Sequence, residues 1–217
     1  MKIKGAIFDL DGTLLESMHI WRFAGPRYLE SIGIESREDI SKSTGTKTLA
    51  EAAEYLKKKY SIPKSVKQII DEINNSIENA YFNEVELKEC VPELLTSLKD
   101  NGVKICIATL TDTYLVKAAL KRLGILHFFD NIFSCADTGI GKDSPDIYYK
   151  AAESMGVLPH EALVFEDAIY AMKTAKAAGF PVMAIYDRWC RHSREEIEKV
   201  ADVYFTTFAQ WDKKHLL

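Results

Sequence analysis

The stretch AIFDLDGTLLES, Ala6 to Ser17, carries an apolar run straight into two aspartates, Asp9 and Asp11, and breaks at Gly12. A strand buried on both faces reads as a continuous apolar run rather than as an alternation. Two like charges at the end of such a strand repel each other and lose water. That raises both carboxyl pKa values unless a cation sits between them. The pair therefore asks for a positive partner. In open parallel sheets, the C-terminal ends of strands are where reactive groups gather.

Similar runs recur downstream. VKICIA begins at Val103, ALVF at Ala162, VMAI at Val182 and DVYF at Asp202. Helical spacing separates most of them, as in Val116, Ala119, Leu120 and Leu123, or Ile147, Ala151 and Met155. Strand–helix alternation predicts an α/β fold with a Rossmann-like parallel sheet covered on both faces. The segment after the first strand differs and shows no strand pattern. Three helical stripes fill it: Trp21, Ala24, Tyr28, Leu29 and Ile32; Leu49, Ala52, Ala53, Leu56 and Tyr60; Val66, Ile69, Ile70, Ile73 and Ile77. Gly33, Gly45 and Pro63 punctuate them. The expected organisation is a core domain of residues 1–15 and 86–217 with an all-α cap, residues 16–85, inserted after the first strand. Pro92 suits the first turn of the helix that resumes the core.

Composition narrows the class. The chain has 217 residues, 47% of them hydrophobic, enough for one core and a smaller appended unit. Net charge is −4 and the basic residues do not cluster, which argues against nucleic acid as the partner. Cys90, Cys106, Cys135 and Cys190 lie far apart without a CxxC, so neither a disulfide framework nor a zinc site is indicated, and a reducing compartment fits. The apolar part of MKIKGAIFDL is too short for a signal segment, and no run approaches a membrane span. A soluble, cytoplasmic, monomeric protein without a membrane partner is expected.

Reading the strand ends in order collects the chemistry. Asp9 and Asp11 follow the first run, Thr109 follows CIA, and Glu166 and Asp167 follow LVF. Lys142 lies in GIGKDSPD, ahead of a helix starting near Pro145. Asp9 and Asp11 are two apart, so their side chains share a face while the chain stays extended. Four acids at one edge form an anionic cluster of hard oxygen donors, which suits Mg²⁺ with water and substrate phosphate completing its shell. The ordinary alternative for one such acid is a helix N-cap, and Asp167 precedes a helix. That alternative does not account for all four.

Four motifs in order complete the picture. FDLDGTL, IATL with Thr109, GKDSPDIYYKAA with Lys142, and VFEDAIYAMKTAKAAG with Glu166 and Asp167 resemble the four motifs of the haloacid dehalogenase superfamily of phosphohydrolases. The inserted helices are similar to the cap of its beta-phosphoglucomutase and phosphoglycolate phosphatase branch. The resemblance implies Asp9 as nucleophile forming an aspartyl-phosphate. It implies Asp11 as general acid and then base. It places Mg²⁺ on the Asp9 carboxylate, the Asp11 carbonyl and Asp167 with Glu166 assisting, and gives the phosphoryl oxygens to Thr109 and Lys142. Aspartate at position 11 favours phosphate esters over carbon–halogen bonds. Gly12 would let the backbone turn below the phosphate.

The chain departs from the pattern in places. Asp143 follows Lys142 where the family usually has proline, so a trans or shifted loop with Lys142 still reaching the site is expected. Ala171 replaces a common glycine, and Leu110 is bulkier than usual after Thr109. Glu16 and Ser17 should form the hinge. His19 reads as a solvated helix residue, and Trp21 as core or pocket wall. In the segment Thr44, Gly45, Thr46 and Lys47, the arginine that a mutase would use for a second phosphate is missing. The expected function is a Mg²⁺-dependent phosphatase for a small phosphorylated metabolite such as a sugar phosphate or phosphoglycolate. Its rivals are a beta-phosphoglucomutase-like phosphotransferase and a non-catalytic binder of phosphorylated ligands.

Overall fold

The computed structural model describes residues 2–35, 39–44, 47–189, 192 and 194–216. Six parallel strands form one sheet in the order β3-β2-β1-β4-β5-β6. They are β1 (Gly5–Phe8), β2 (Lys104–Thr109), β3 (Asn131–Ser134), β4 (Ala162–Glu166), β5 (Val182–Ile185) and β6 (Val203–Phe205). The core helices are α5 (Val91–Asp100), α6 (Thr113–Arg122), α7 (Cys135–Thr138), α8 (Asp146–Met155), α9 (Ile169–Ala177) and α10 (Arg194–Glu198). Five strands match the apolar runs in the sequence. The sixth, β3, is an edge strand paired only with β2, and only its last residue, Ser134, is buried. Its apolar run is only Ile132 and Phe133, between Asn131 and Ser134, too short to advertise a strand.

β1 lies at the centre, with Phe8 opposite Ile107 on one side and Phe165 on the other. Its neighbours carry opposite faces of the core. Ala6 and Phe8 pack with Ile105, Ile107, Leu163 and Phe165, while Ile7 packs with Cys106, Val164 and Val182. This two-residue period is the pleat expressed in side chains that are all apolar. The Phe8 and Phe165 rings stack with centroids 4.2 Å apart, which locks β1 to β4 one residue before Asp9 and Glu166. Strand order reverses between β1 and β4, and that reversal opens a crevice at their C-terminal ends.

The helical segment between β1 and β2 holds α1 (Met18–Ser31), α2 (Ser41–Thr44), α3 (Leu49–Tyr60) and α4 (Val66–Asn79), closed by a π-helical turn, Ala80–Glu84. Capping boxes start two of them: Thr48 with Glu51 on α3, and Ser65 with Gln68 on α4. Ile69, Ile73 and Ile77 bury one stripe of α4 against α1 and α3. Chain entry and exit run side by side: Leu15 bridges Leu87, Glu16 N–H donates to Glu86, and Lys88 N–H donates to Leu14. The linkers are therefore hydrogen-bonded to each other at the sheet edge where the acids gather. Among the described residues no helix is long and apolar enough to cross a membrane.

Candidate active site

Strand ends deliver the first three acids. Asp9 directly follows β1 and its N–H still donates to Phe165 O, so its carboxylate stays in line with the sheet. Glu166 ends β4, and Asp167 is the next residue. Carboxylate oxygens of Asp9, Glu166 and Asp167 lie within 4.8 Å of one another, and all three residues are buried. Lys142, only 3% exposed, reaches them from the loop before α8. Its ammonium donates to Asp9 Oδ1 and, at 2.6 Å, to Glu166 Oε1. No cis peptide bond occurs among the described residues, and Asp143 is accommodated with Lys142 in the site. Gly12 has φ +85°, and a Cβ there would stand 2.5 Å from Asp167 Oδ2, so glycine is what lets Asp167 approach the loop.

Asp11 parts company with these three. The chain does not stay extended after Asp9. It turns, with Leu10 O accepting from the N–H groups of Thr13, Leu14 and Leu15. Asp11 thereby turns toward the helical insertion. Ser17 Oγ donates to its Oδ1 at 2.5 Å, Thr111 Oγ1 donates to its Oδ2 at 2.5 Å, and Tyr81 OH donates to Oδ1. Among their hydrogen bonds, the two aspartates share no partner. The chain stops being extended at Leu10, so strand alternation does not by itself set the direction of Asp11. Thr109 is buried, and its Oγ1 accepts from Thr111 N–H at 3.1 Å, which leaves its own proton to donate.

Electrostatics follow from burying so many acids together. Burial pushes the Glu166 carboxyl up to about 7 against the pull of Lys142, and Asp9 adds to the rise. Burial, then the charges of Asp9, Glu166 and Asp187, hold Asp167 well above the ordinary carboxylate range. Burial works against the Lys142 charge, yet Asp9 and Glu166 outweigh it and hold the ammonium well above its usual value. Asp11 is raised by burial and by Asp9, and its three hydroxyl donors pull it back. Burial and the Asp11 charge keep the Tyr81 phenol protonated, so it is the donor in that pair. With all three clustered acids ionised, two negative charges exceed what Lys142 balances. Such a set of hard oxygen donors fits a divalent metal ion.

Several participants carry no local sequence signal. Tyr81 ends a helical stripe and reads as core. Its role comes from Asp11, seventy positions away along the chain. Thr111 is more legible, because a hydroxyl two residues past Thr109 remains at the strand end. Trp21, left open as core or pocket wall, donates Nε1–H to Tyr81 OH at 2.6 Å. His19 is exposed and lines a cavity of about 400 Å³ beside the paired linkers with Glu16, Lys88 and Tyr186. Lys88 is buried there and donates to Asp187 at 3.0 Å and to Glu16 at 3.2 Å. Trp189, in the loop after β5, packs edge-on to Phe23 of α1 at 6.0 Å, so that loop also borders the insertion. Thr48 at the start of α3 approaches Gly141, which places the α2–α3 connection beside the Lys142 loop. Gly45, Thr46 and Cys190 lie outside the described residues.

Comparison with known proteins agrees with this geometry. The hydrolase family described as haloacid dehalogenase-like hydrolase matches residues 3–179. The chain is 26% identical to the phosphorylated carbohydrates phosphatase of Thermotoga maritima, across 82% of this chain and 82% of that protein. It is 30% identical to the validoxylamine A 7'-phosphate phosphatase of Streptomyces hygroscopicus subsp. limoneus, across 81% of this chain and 82% of that protein. The crystal structure of CbbY from Rhodobacter sphaeroides in complex with phosphate shares the fold with a TM-score of 0.83 at 24% identity, covering 96% of both chains.

Proposed function

The chain belongs to the haloacid dehalogenase-like hydrolases and is a phosphatase of small phosphorylated metabolites, and we propose how its residues divide that reaction. Asp9 is the nucleophile. Lys142 engages its Oδ1, which leaves Oδ2 to attack phosphorus in line with the departing alcohol. As the Asp9–phosphorus bond forms and the ester bond breaks, Asp11 gives its proton to the leaving oxygen. Asp11 then takes a proton from the water that displaces phosphate from Asp9. Thr109 donates its hydroxyl proton, and Lys142 its remaining N–H, to the phosphoryl oxygens as charge grows on them.

Asp9 and Asp167, with Glu166 assisting and the Asp11 carbonyl completing the set, would hold the divalent ion, read as Mg²⁺. When bound, that ion supplies the positive charge that offsets attacker and phosphate. Residues 16–85 act as the cap that excludes water and selects the alcohol. A sugar phosphate is the substrate class that the named relatives support. The cysteine pattern supports a reducing, cytoplasmic setting, and the closing cap a monomer.

The observation that carries this reading is the division of labour among four acids. Three share one buried site with Lys142, and the fourth stands apart in a hydroxyl cage. Asp9→Asn tests it with p-nitrophenyl phosphate, with Mg²⁺ and with chelator. Turnover should fall by at least about a thousandfold with folding intact. Residual activity near wild type, or wild-type turnover indifferent to metal, overturns the reading. A screen of phosphorylated sugars that returns the phosphoryl group to a sugar hydroxyl rather than to water would make it a transferase instead.

A further inference from the structure

Three hydroxyls from three parts of the chain hold Asp11. Ser17 belongs to the hinge, Thr111 follows β2, and Tyr81 lies on the π-helical turn at the end of the insertion. An ionised carboxylate offers about four acceptor positions, two on each oxygen. Ser17 and Tyr81 fill both positions on Oδ1, and Thr111 fills one on Oδ2. Among the described residues, that leaves one position, on Oδ2, where a proton for exchange can sit. Ser17 and Thr111 are small and adjacent to the core. Tyr81 is the contact that depends on where the helical insertion docks.

The Tyr81 hydroxyl sits among Asp11, Trp21 and Thr111. The side chain is completely buried, and its oxygen accepts Trp21 Nε1–H at 2.6 Å. With a lone pair facing Trp21, the phenolic proton is directed at Asp11. The Trp21 and Tyr81 rings meet edge to face with centroids 6.4 Å apart, so the orienting contact is also a packing contact. The backbone carrying Tyr81 is a π turn, a widened helical geometry that recurs at functional sites. Its neighbour Phe82 packs edge-on to Tyr114 of α6 at 6.4 Å and ties that turn to the core.

We propose that Tyr81, oriented by Trp21, is a positioning residue that confines the transferable proton of Asp11 to Oδ2. This rests on the reading of Asp11 as general acid. Without the Tyr81 hydroxyl, Oδ1 has a free position that competes for the proton, and the carboxyl group can rotate. The loss is felt only where the leaving group needs a proton.

Leaving-group dependence is therefore the test. Purified wild type, Tyr81→Phe, Trp21→Phe, the Tyr81→Phe/Trp21→Phe double variant and Asp11→Asn are compared at one pH and saturating Mg²⁺. The substrates are p-nitrophenyl, phenyl and 4-methoxyphenyl phosphate. Tyr81→Phe should lose roughly tenfold in kcat on the two poorer leaving groups and less than about threefold on p-nitrophenyl phosphate, the size expected for one hydrogen bond to a charged group. Trp21→Phe should move the same way by less. The double variant, which removes the donor that Tyr81→Phe leaves unpaired, should match Tyr81→Phe. Equal losses across the three substrates, or none, overturn the positioning role, because a packing defect would not sort leaving groups. Asp11→Asn with the same leaving-group dependence as wild type overturns the general-acid reading itself. Wild type with no metal-dependent turnover of p-nitrophenyl phosphate overturns the phosphatase reading and this inference with it.

Discussion

Lys142→Met removes one charge from the most crowded part of the molecule and nearly preserves side-chain length. Lys142 is 3% exposed and bridges Asp9 and Glu166, the latter at 2.6 Å. Each contact is worth about 5 kcal/mol by Coulomb's law at roughly 3 Å with an effective dielectric constant near 20. Much of that is offset by keeping a lysine and its acids out of water. Removing one partner of a buried pair typically has a net cost of about 3–5 kcal/mol, because the remaining charge is stranded. Here three acids within 4.8 Å of one another would be stranded together. Unfolding of a chain this long shifts by about 2–4 °C per kcal/mol, so a fall of about 10 °C is expected in chelator. Burial raises the Glu166 carboxyl and Lys142 holds it down to about 7, so in the variant that carboxyl rises further and takes up a proton that relieves part of the strain; the variant's deficit should therefore grow as the melt is run at higher pH. Divalent metal should then raise the variant's melting temperature more than the wild type's, since the acids no longer share their charge with an ammonium. A metal concentration of about 100 Kd would return about 2.7 kcal/mol. A variant that melts within about 2 °C of wild type in chelator would refute the reasoning, since 3 kcal/mol cannot hide in that interval.

Gly12→Ala puts a Cβ 2.5 Å from Asp167 Oδ2 on a backbone with φ +85°. Left-handed backbone alone costs about 1–2 kcal/mol. Displacement of Asp167 should raise the Mg²⁺ concentration for half-maximal turnover by about tenfold, and an unchanged requirement contradicts the metal assignment. Asp130→Asn keeps an acceptor for Ile105 N–H, bonded at 2.8 Å, but loses the charge facing Lys99 at 2.8 Å. Burial opposes that charge, yet Lys99 and the Ile105 N–H outweigh it and lower the Asp130 pKa below 3.8. A carboxylate depressed on folding contributes stability above its unfolded pKa and loses it as pH falls through the folded value. The variant should therefore melt slightly below wild type at neutral pH, with the gap closing in acid. A gap independent of pH would show that the charge contributes nothing.

The acid-bearing edge was legible from local pattern. An apolar run ending in charge marks a buried strand and its C-terminal end in the same few letters, and Asp9, Glu166 and Asp167 were each found that way. Lys142 lies in a loop without such a run, and only its place before a helix and its resemblance to a known motif marked it. Strand β3 escaped because its apolar run is only Ile132 and Phe133, flanked by the polar Asn131 and Ser134. The same local logic stops short of Asp11, since period-two alternation holds only while the chain is extended, and the turn from Leu10 ends it.

By itself, then, the sequence determined five of the six strands, the order in which they are strung, and which acids arrive at one edge of the sheet, because those depend on spacing within a few residues. Tertiary structure alone decided which hydroxyls surround Asp11, that Lys142 lies between Asp9 and Glu166, and that Tyr81 closes the site from the far end of the insertion. Apart from Ser17, six positions from Asp11, those pairings join residues 24 to 133 positions apart. Their geometry is set by how packed faces dock, which no local spacing records.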